Sequence, residues 1–174
     1  TAIELAEHLD ATLHVTHGYY LPDPTLHPYP EASALAPDAL RHLREGAQER
    51  LDRQVRSAAP SDRVRTRAVP GPPEVAISRV ADEVDADLVL VGSTRYGKIG
   101  QLFLGTTAQR VLRGSRVPVL VMRGSEARPP TRVLFTTDMS PASGSAIETG
   151  QRLLSRLSPD AGYAERFLLV LGYD

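Results

Sequence analysis

The sequence contains no cysteine. Disulfides and thiolate metal sites are excluded, and the composition suits a reducing compartment. No apolar run is long enough to span a bilayer, and no signal-peptide pattern opens the chain. The expectation is a cytoplasmic protein that engages no membrane. The formal net charge is −1, which removes any bulk electrostatic case for nucleic acid or an anionic surface. Lysine is nearly missing too: Lys98 stands alone and every other formal base is arginine, a bias that reads as genomic composition. What is present is ample for a core. The 174 residues are 41% hydrophobic and 24% charged, enough for one ordinary domain and a remainder.

One stretch organises the chain. Asp87-Leu88-Val89-Leu90-Val91 reads as a strand covered on both faces. Gly92, Gly97, Gly100 and Gly105 follow in a glycine-rich loop. Gly105-Thr106-Thr107 then opens a helical pattern through Leu112, and the free N–H groups of such a helix start favour an anion.

Around it, the periodicity predicts a helix over Thr1–Leu9 and a strand over 11–17. Residues 21–37 hold prolines at 22, 24, 28, 30 and 37 and predict a loop, with the character of a lid. A long amphipathic helix is expected over Asp38–Ala58, where Leu40, Leu43, Ala47, Leu51 and Val55 recur at helical spacing. A strand follows over Arg63–Val69, then the turn Pro70-Gly71-Pro72-Pro73 and a helix over Glu74–Val84. The glycine loop leads to a helix from Thr106 to about Arg113 and a strand over Val117–Met122, where Pro118 favours an edge or a strand start. Helices alternating with strands predict an α/β fold, a doubly wound parallel sheet. Such a fold ordinarily begins with a strand, whereas this chain begins with a helix.

The later sequence supplies a strand of that kind. Residues 124–130 are linker-like, Arg132–Asp138 reads as a strand ending in a carboxylate, and Ser140-Pro141 suits a helix start. Ser145-Ala146-Ile147-Glu148 echoes Thr1-Ala2-Ile3-Glu4, and Phe167–Val170 echoes Thr12–Val15. An internal repeat is expected: a first copy over 1–123 lacking its first strand, a linker over 124–130, and the start of a second copy over 131–174.

With these residues in view, the chain resembles the universal stress protein family. Gly92 and Gly105-Thr106 match the family's Gly-x2-Gly-x9-Gly-[Ser/Thr] motif in type and spacing, while Arg95 stands at its second glycine. Thr136-Thr137-Asp138-Met139-Ser140 is similar to the end of the family's first strand. Ala86–Gly92 and Val117–Val121 are similar to its fourth and fifth strands. The resemblance implies a five-stranded parallel, adenine-nucleotide α-hydrolase-like (Rossmann-like) domain. It implies binding of ATP, with or without Mg, and a regulatory role in the stress response. Carried over by position, the nucleotide-binding residues are Val15, Val91, Gly92, Arg95, Gly105, Thr106, Thr107 and Asp138. The resemblance also implies pairing through strand 117–122, as a homodimer or between repeats.

Each reading has a plainer competitor. The glycine loop could be a tight strand-to-helix connection without a ligand, and Asp138 could simply form a turn. Arg95 could clamp a phosphate or fill the space a glycine leaves open. The loop is neither a Walker A motif nor Gly-x-Gly-x-x-Gly. His14 and His17 are three apart on a strand and point to opposite faces, so with His27 they make no metal site. Asp82, Glu83, Asp85 and Asp87 read as a solvated acidic run. No catalytic set emerges, since Ser93 and Thr106 have no identifiable base. At most, slow ATP hydrolysis is expected. The rival readings are a non-nucleotide dimeric scaffold and a nucleotidyl transferase of the same wider fold.

Overall fold

The computed structural model describes residues 2–21, 37–58, 61–92, 104–122 and 133–157, with the backbone of 168 and 169. The proline-rich stretch 22–36, the loop 93–103 and the stretch 123–132 lie outside the described residues. The elements run α1 (Ala2–His8), β1 (Leu13–Tyr19), α2 (Pro37–Ala58), β2 (Val64–Pro70), α3 (Pro73–Glu83), β3 (Val89–Gly92), α4 (Thr106–Gly114), β4 (Val119–Met122), β5 (Thr136–Thr137), α5 (Pro141–Leu157) and β6 (Leu168–Leu169). Two compact units result: Thr12–Gly124, and Thr1–Ala11 with Ser125–Asp174.

The fold is α/β with parallel strands. The expected single sheet is drawn as three parallel pairs: β1 with β2, β3 with β4, and β5 with β6. The Thr12–Gly124 unit holds the first two pairs, and α3 joins them. Its residues Ala76 and Val80 pack with Val69 of β2. One position further round, Ile77 and Ala81 pack with Val89 and Val91 of β3 and with Ala108 and Val111 of α4. The spacing i, i+4 places each pair in one stripe, and the two stripes are adjacent. Ala76 is 0% exposed, so the helix lies close on its strands. The ion pair Arg110–Glu74, at 2.7 Å, ties α4 to α3 across their surface.

Hydrogen-bond parity tells which way each strand looks. The Leu13 N–H donates to Arg63 O, and the Tyr19 carbonyl accepts from Gly71 N–H. Odd residues of β1 therefore bond toward β2, and His14, Thr16 and Gly18 present their backbone groups to the other edge. Likewise the Val89 N–H donates to Pro118 O, so Leu90 and Gly92 face away from β4. The helix α3 leaves β2, packs on β1 and leads to β3.

Boundaries shift from expectation for identifiable reasons. β1 ends two residues later than predicted because Tyr19 pairs with the turn after β2. A Cβ on Gly18 would sit 2.8 Å from Pro73 Cα and 2.9 Å from Gly71 O, so only glycine lets the turn lie on the strand. Gly71 itself has φ +119°, a conformation glycine alone adopts freely. β4 begins at Val119, with Pro118 just outside it. Both α1 and α3 end on an aspartate in the left-handed region, Asp10 (φ 54°) and Asp85 (φ 47°). In each, the next N–H returns five residues: Ala11 to Ala6 O and Ala86 to Ala81 O.

The second unit carries a capped helix. Ser140 Oγ accepts from Ser143 N–H at 3.2 Å, and Pro141 fills the first helical position. Asp138 Oδ1 accepts from Ser140 N–H at 2.9 Å. Phe135 lies against Gly150 of α5. The strand expected over 132–138 pairs only at Thr136 and Thr137, leaving Leu134 57% exposed.

Two outcomes follow from these contacts. Gly18→Ala is expected to lower the unfolding free energy by roughly 1–3 kcal/mol, because the obstructing atoms are backbone. Gly114→Ala, with open space at its Cβ position, should stay within about 1 kcal/mol of wild type on the stabilising side. Urea unfolding of both variants measures the contrast. The second outcome concerns Asp138, whose carboxyl is held at about 2 by the Ser140 hydroxyl and N–H and the Ser143 hydroxyl. Its folded value lies below the unfolded value of about 3.9, so its contribution is complete above about pH 4. That contribution is lost as the pH falls through about 2. The gap in urea midpoint between wild type and Asp138→Asn should therefore narrow steadily on acidification through this window.

Candidate functional site

The site is built where β3 gives way to α4. β3 is a four-residue strand whose Val89 and Val91 are buried on one face, and it ends on the exposed Gly92. No described atom lies within 4 Å of where a Gly92 Cβ would stand. Among the described residues, then, nothing packs on this side of the strand end. Leu104, Ala108 and Val111 pack against Val89 and Val91, which lays the first turn of α4 along β3.

Gly105 is the residue before that helix, with φ −58° and ψ 152°, and no side chain caps it. The first helical bond runs from Gln109 N–H to Gly105 O. The N–H groups of Thr106, Thr107 and Ala108 consequently precede the ladder and have no intrahelical acceptor. Ala108 is buried, while Thr107 is half-buried and Thr106 exposed. The geometry is that of a helix N-terminus with two hydroxyls, positive in partial charge and suited to an anion. The Gln109 amide donates to the Leu104 carbonyl at 2.9 Å and fixes the approach to the turn.

The structure brings Val91, Gly92, Gly105, Thr106 and Thr107 into this strand–helix junction. Val15 belongs to the same unit but sits third in the seven-residue β1. The carboxyl end of that strand is Gly18-Tyr19, held on by the Gly71 turn. Arg95 lies outside the described residues. Asp138 belongs to the other unit. There it is followed by Met139 at φ 65°, exposed and left-handed for a residue without a short polar side chain. Thr137 Oγ1 accepts from the Met139 N–H at 2.9 Å and holds this turn.

Sequence reasoning passed over Gly18 and read Gly71 only as part of a turn, without its contact with β1. Their signal was present in Gly-Tyr-Tyr after the strand and in Pro-Gly-Pro-Pro, but the need for glycine arises only where those two segments meet. His14 and His17 are both exposed, and the described residues hold no cluster of three or more His, Asp or Glu side chains able to grip a metal. No described helix is long and apolar enough to cross a membrane.

Comparison with known proteins closes the assignment of kind. Universal stress protein G of Salmonella typhimurium is 37% identical over 84 residues, covering 47% of this chain and 58% of that protein. A universal stress protein of Methanocaldococcus jannaschii is 30% identical over 82 residues, covering 47% of this chain and 48% of its own. The chain spans about half the length of these curated relatives. Among solved structures, a universal stress protein in complex with cAMP shares 26% identity and covers 67% of this chain and 76% of that one, with a TM-score of 0.40. The model of the universal stress protein family matches residues 1–123, and the chain belongs to that family.

Proposed function

We propose that this chain binds an adenine nucleotide at the β3–α4 junction and acts in the stress response through the conformation of that junction and through dimerisation. One observation carries the reading. Gly92 ends β3 with no described atom close to its Cβ position, and the Thr106 and Thr107 N–H groups, which have no intrahelical acceptor, begin the helix packed along the same strand. The phosphates would lie on those N–H groups and hydroxyls, with Gly92 allowing the ligand close to the backbone. ATP, with Mg shared among its phosphates, fits the same donor set. Arg95 is the residue that decides whether the loop clamps or fills the space. The resemblance also carries Val15 and Asp138 to nucleotide binding by position; Asp138 lies in the other unit, and the proposed junction does not rest on it. The wider arrangement is a doubly wound sheet of five parallel strands.

Dimerisation rests on β4. Its residues Val119–Met122 are half-buried, and among the described strands β3 alone pairs with it. A free edge of this kind accepts a strand from another copy.

Calorimetric titration with ATP tests the reading. Saturable heat, with a rise in melting temperature, is the expected outcome; neither effect at millimolar ATP overturns it. Gly105→Val should weaken binding by roughly tenfold or more, about 1.4 kcal/mol, because the new side chain crowds the phosphate position. Arg95→Gly, which restores the glycine at that point of the motif, should tighten it.

A further inference from the structure

On the outer edge of β2, two of the three N–H donors have acceptors and the fourth position is a proline. Because odd residues of β2 bond toward β1, the even residues Val64, Thr66, Ala68 and Pro70 face outward. The Val64 N–H donates to Ser61 O at 3.2 Å. Pro70 has no N–H to offer. The Ala68 N–H donates to Gln48 Oε1 of α2 at 2.8 Å.

Gln48 is held in that position by a compact network. Its Nε2 donates to Asp52 Oδ1 at 2.8 Å and to Thr66 Oγ1 at 3.0 Å. The Thr66 hydroxyl donates in turn to Asp52 Oδ1. Only one amide orientation satisfies all three contacts, since the flipped one would set N–H against N–H at Ala68. Gln48 and Asp52 stand one turn apart on α2, beside the buried Ala47 and Leu51. Thr66 holds the Asp52 carboxyl below its ordinary range, which keeps it an acceptor.

An unpaired strand edge is a template for another strand. We infer that Gln48 is a cap on the outer edge of β2: it occupies the Ala68 N–H that the β2 of a second copy would otherwise take in antiparallel, edge-to-edge pairing about a two-fold axis. Ser61 and Pro70 close the two ends of this edge permanently. Its middle is closed by a side chain on a separate helix, which makes that closure removable. Association of copies is thereby kept off this edge of the sheet.

The test uses the unmodified chain and two variants. In wild type, the Ala68 amide should exchange with deuterium as slowly as amides of the β1–β2 ladder. Gln48→Leu keeps apolar bulk but removes the acceptor. Ala68 exchange should then rise by about tenfold or more, and sedimentation should show association beyond that of wild type at equal concentration. Thr66→Val disturbs the same network but leaves the Gln48–Ala68 bond, and should sediment as wild type does. An Ala68 amide unprotected in wild type overturns the inference whether or not Gln48→Leu folds. So does a Gln48→Leu chain that sediments like wild type, or a Thr66→Val chain that associates equally.

Discussion

The Thr12–Gly124 unit depends on the double packing of α3. A helix ordinarily buries one apolar stripe. This one buries two adjacent stripes, Ala76/Val80 against β2 and Ile77/Ala81 against β3 and α4. Small side chains make that possible. Ala76 and Ala81 let the helix axis approach both strand pairs, while Val80 and Ile77 fill the gaps between. Without α3 the two pairs would share no core cluster among the described residues, and each alone is a two-stranded ribbon of marginal stability.

From that joint the position of the candidate site follows. All strands of the unit run parallel, so their carboxyl ends lie on the same side of each pair. β1 and β2 end in the turn around Gly71, and β3 ends at Gly92. At the first pair the chain presses closely enough that Gly18 cannot bear a Cβ. At Gly92 no described atom comes that close. The two glycines thus differ in their surroundings: Gly18 admits the protein's own turn, and Gly92 has no such neighbour among the described residues. Glycine identity alone cannot separate these cases, but the surrounding atoms do.

Much of this was legible in the residues. The strand Asp87–Val91, the Gly92 to Gly105-Thr106 spacing and the start of α4 came directly from composition and pattern, because strand, glycine and helix cap are each local signals. The alternation of helices and parallel strands was equally readable. What escaped were properties that exist only between segments. The end of β1 moved to Tyr19 because a turn fifty residues away supplies its last partner, so no window around 11–17 could contain the information. Gln48 looked like one more polar residue on a long helix, and its role appears only when Ala68 and Thr66 arrive beside it. The strand read over 132–138 pairs, among the described residues, at Thr136 and Thr137, since composition expresses a demand for partners rather than their presence.

The two kinds of edge in this unit complete the argument. A parallel sheet must end somewhere, and each end carries unpaired donors whatever the sequence. At β2 a proline, a serine turn and a half-buried glutamine answer them. At β4 the four apolar residues Val119-Leu120-Val121-Met122 stay half-buried with no comparable polar cover among the described residues. Capping a backbone N–H with a side chain requires that side chain to be positioned by others, here Asp52 and Thr66, and such positioning costs conformational entropy. An edge left without this apparatus, on a strand this apolar, gains more from a second strand than from water. Among the described residues the two edges therefore differ in kind: the outer edge of β2 has polar side-chain cover from α2, and β4, the partner of the strand that carries Gly92, has none.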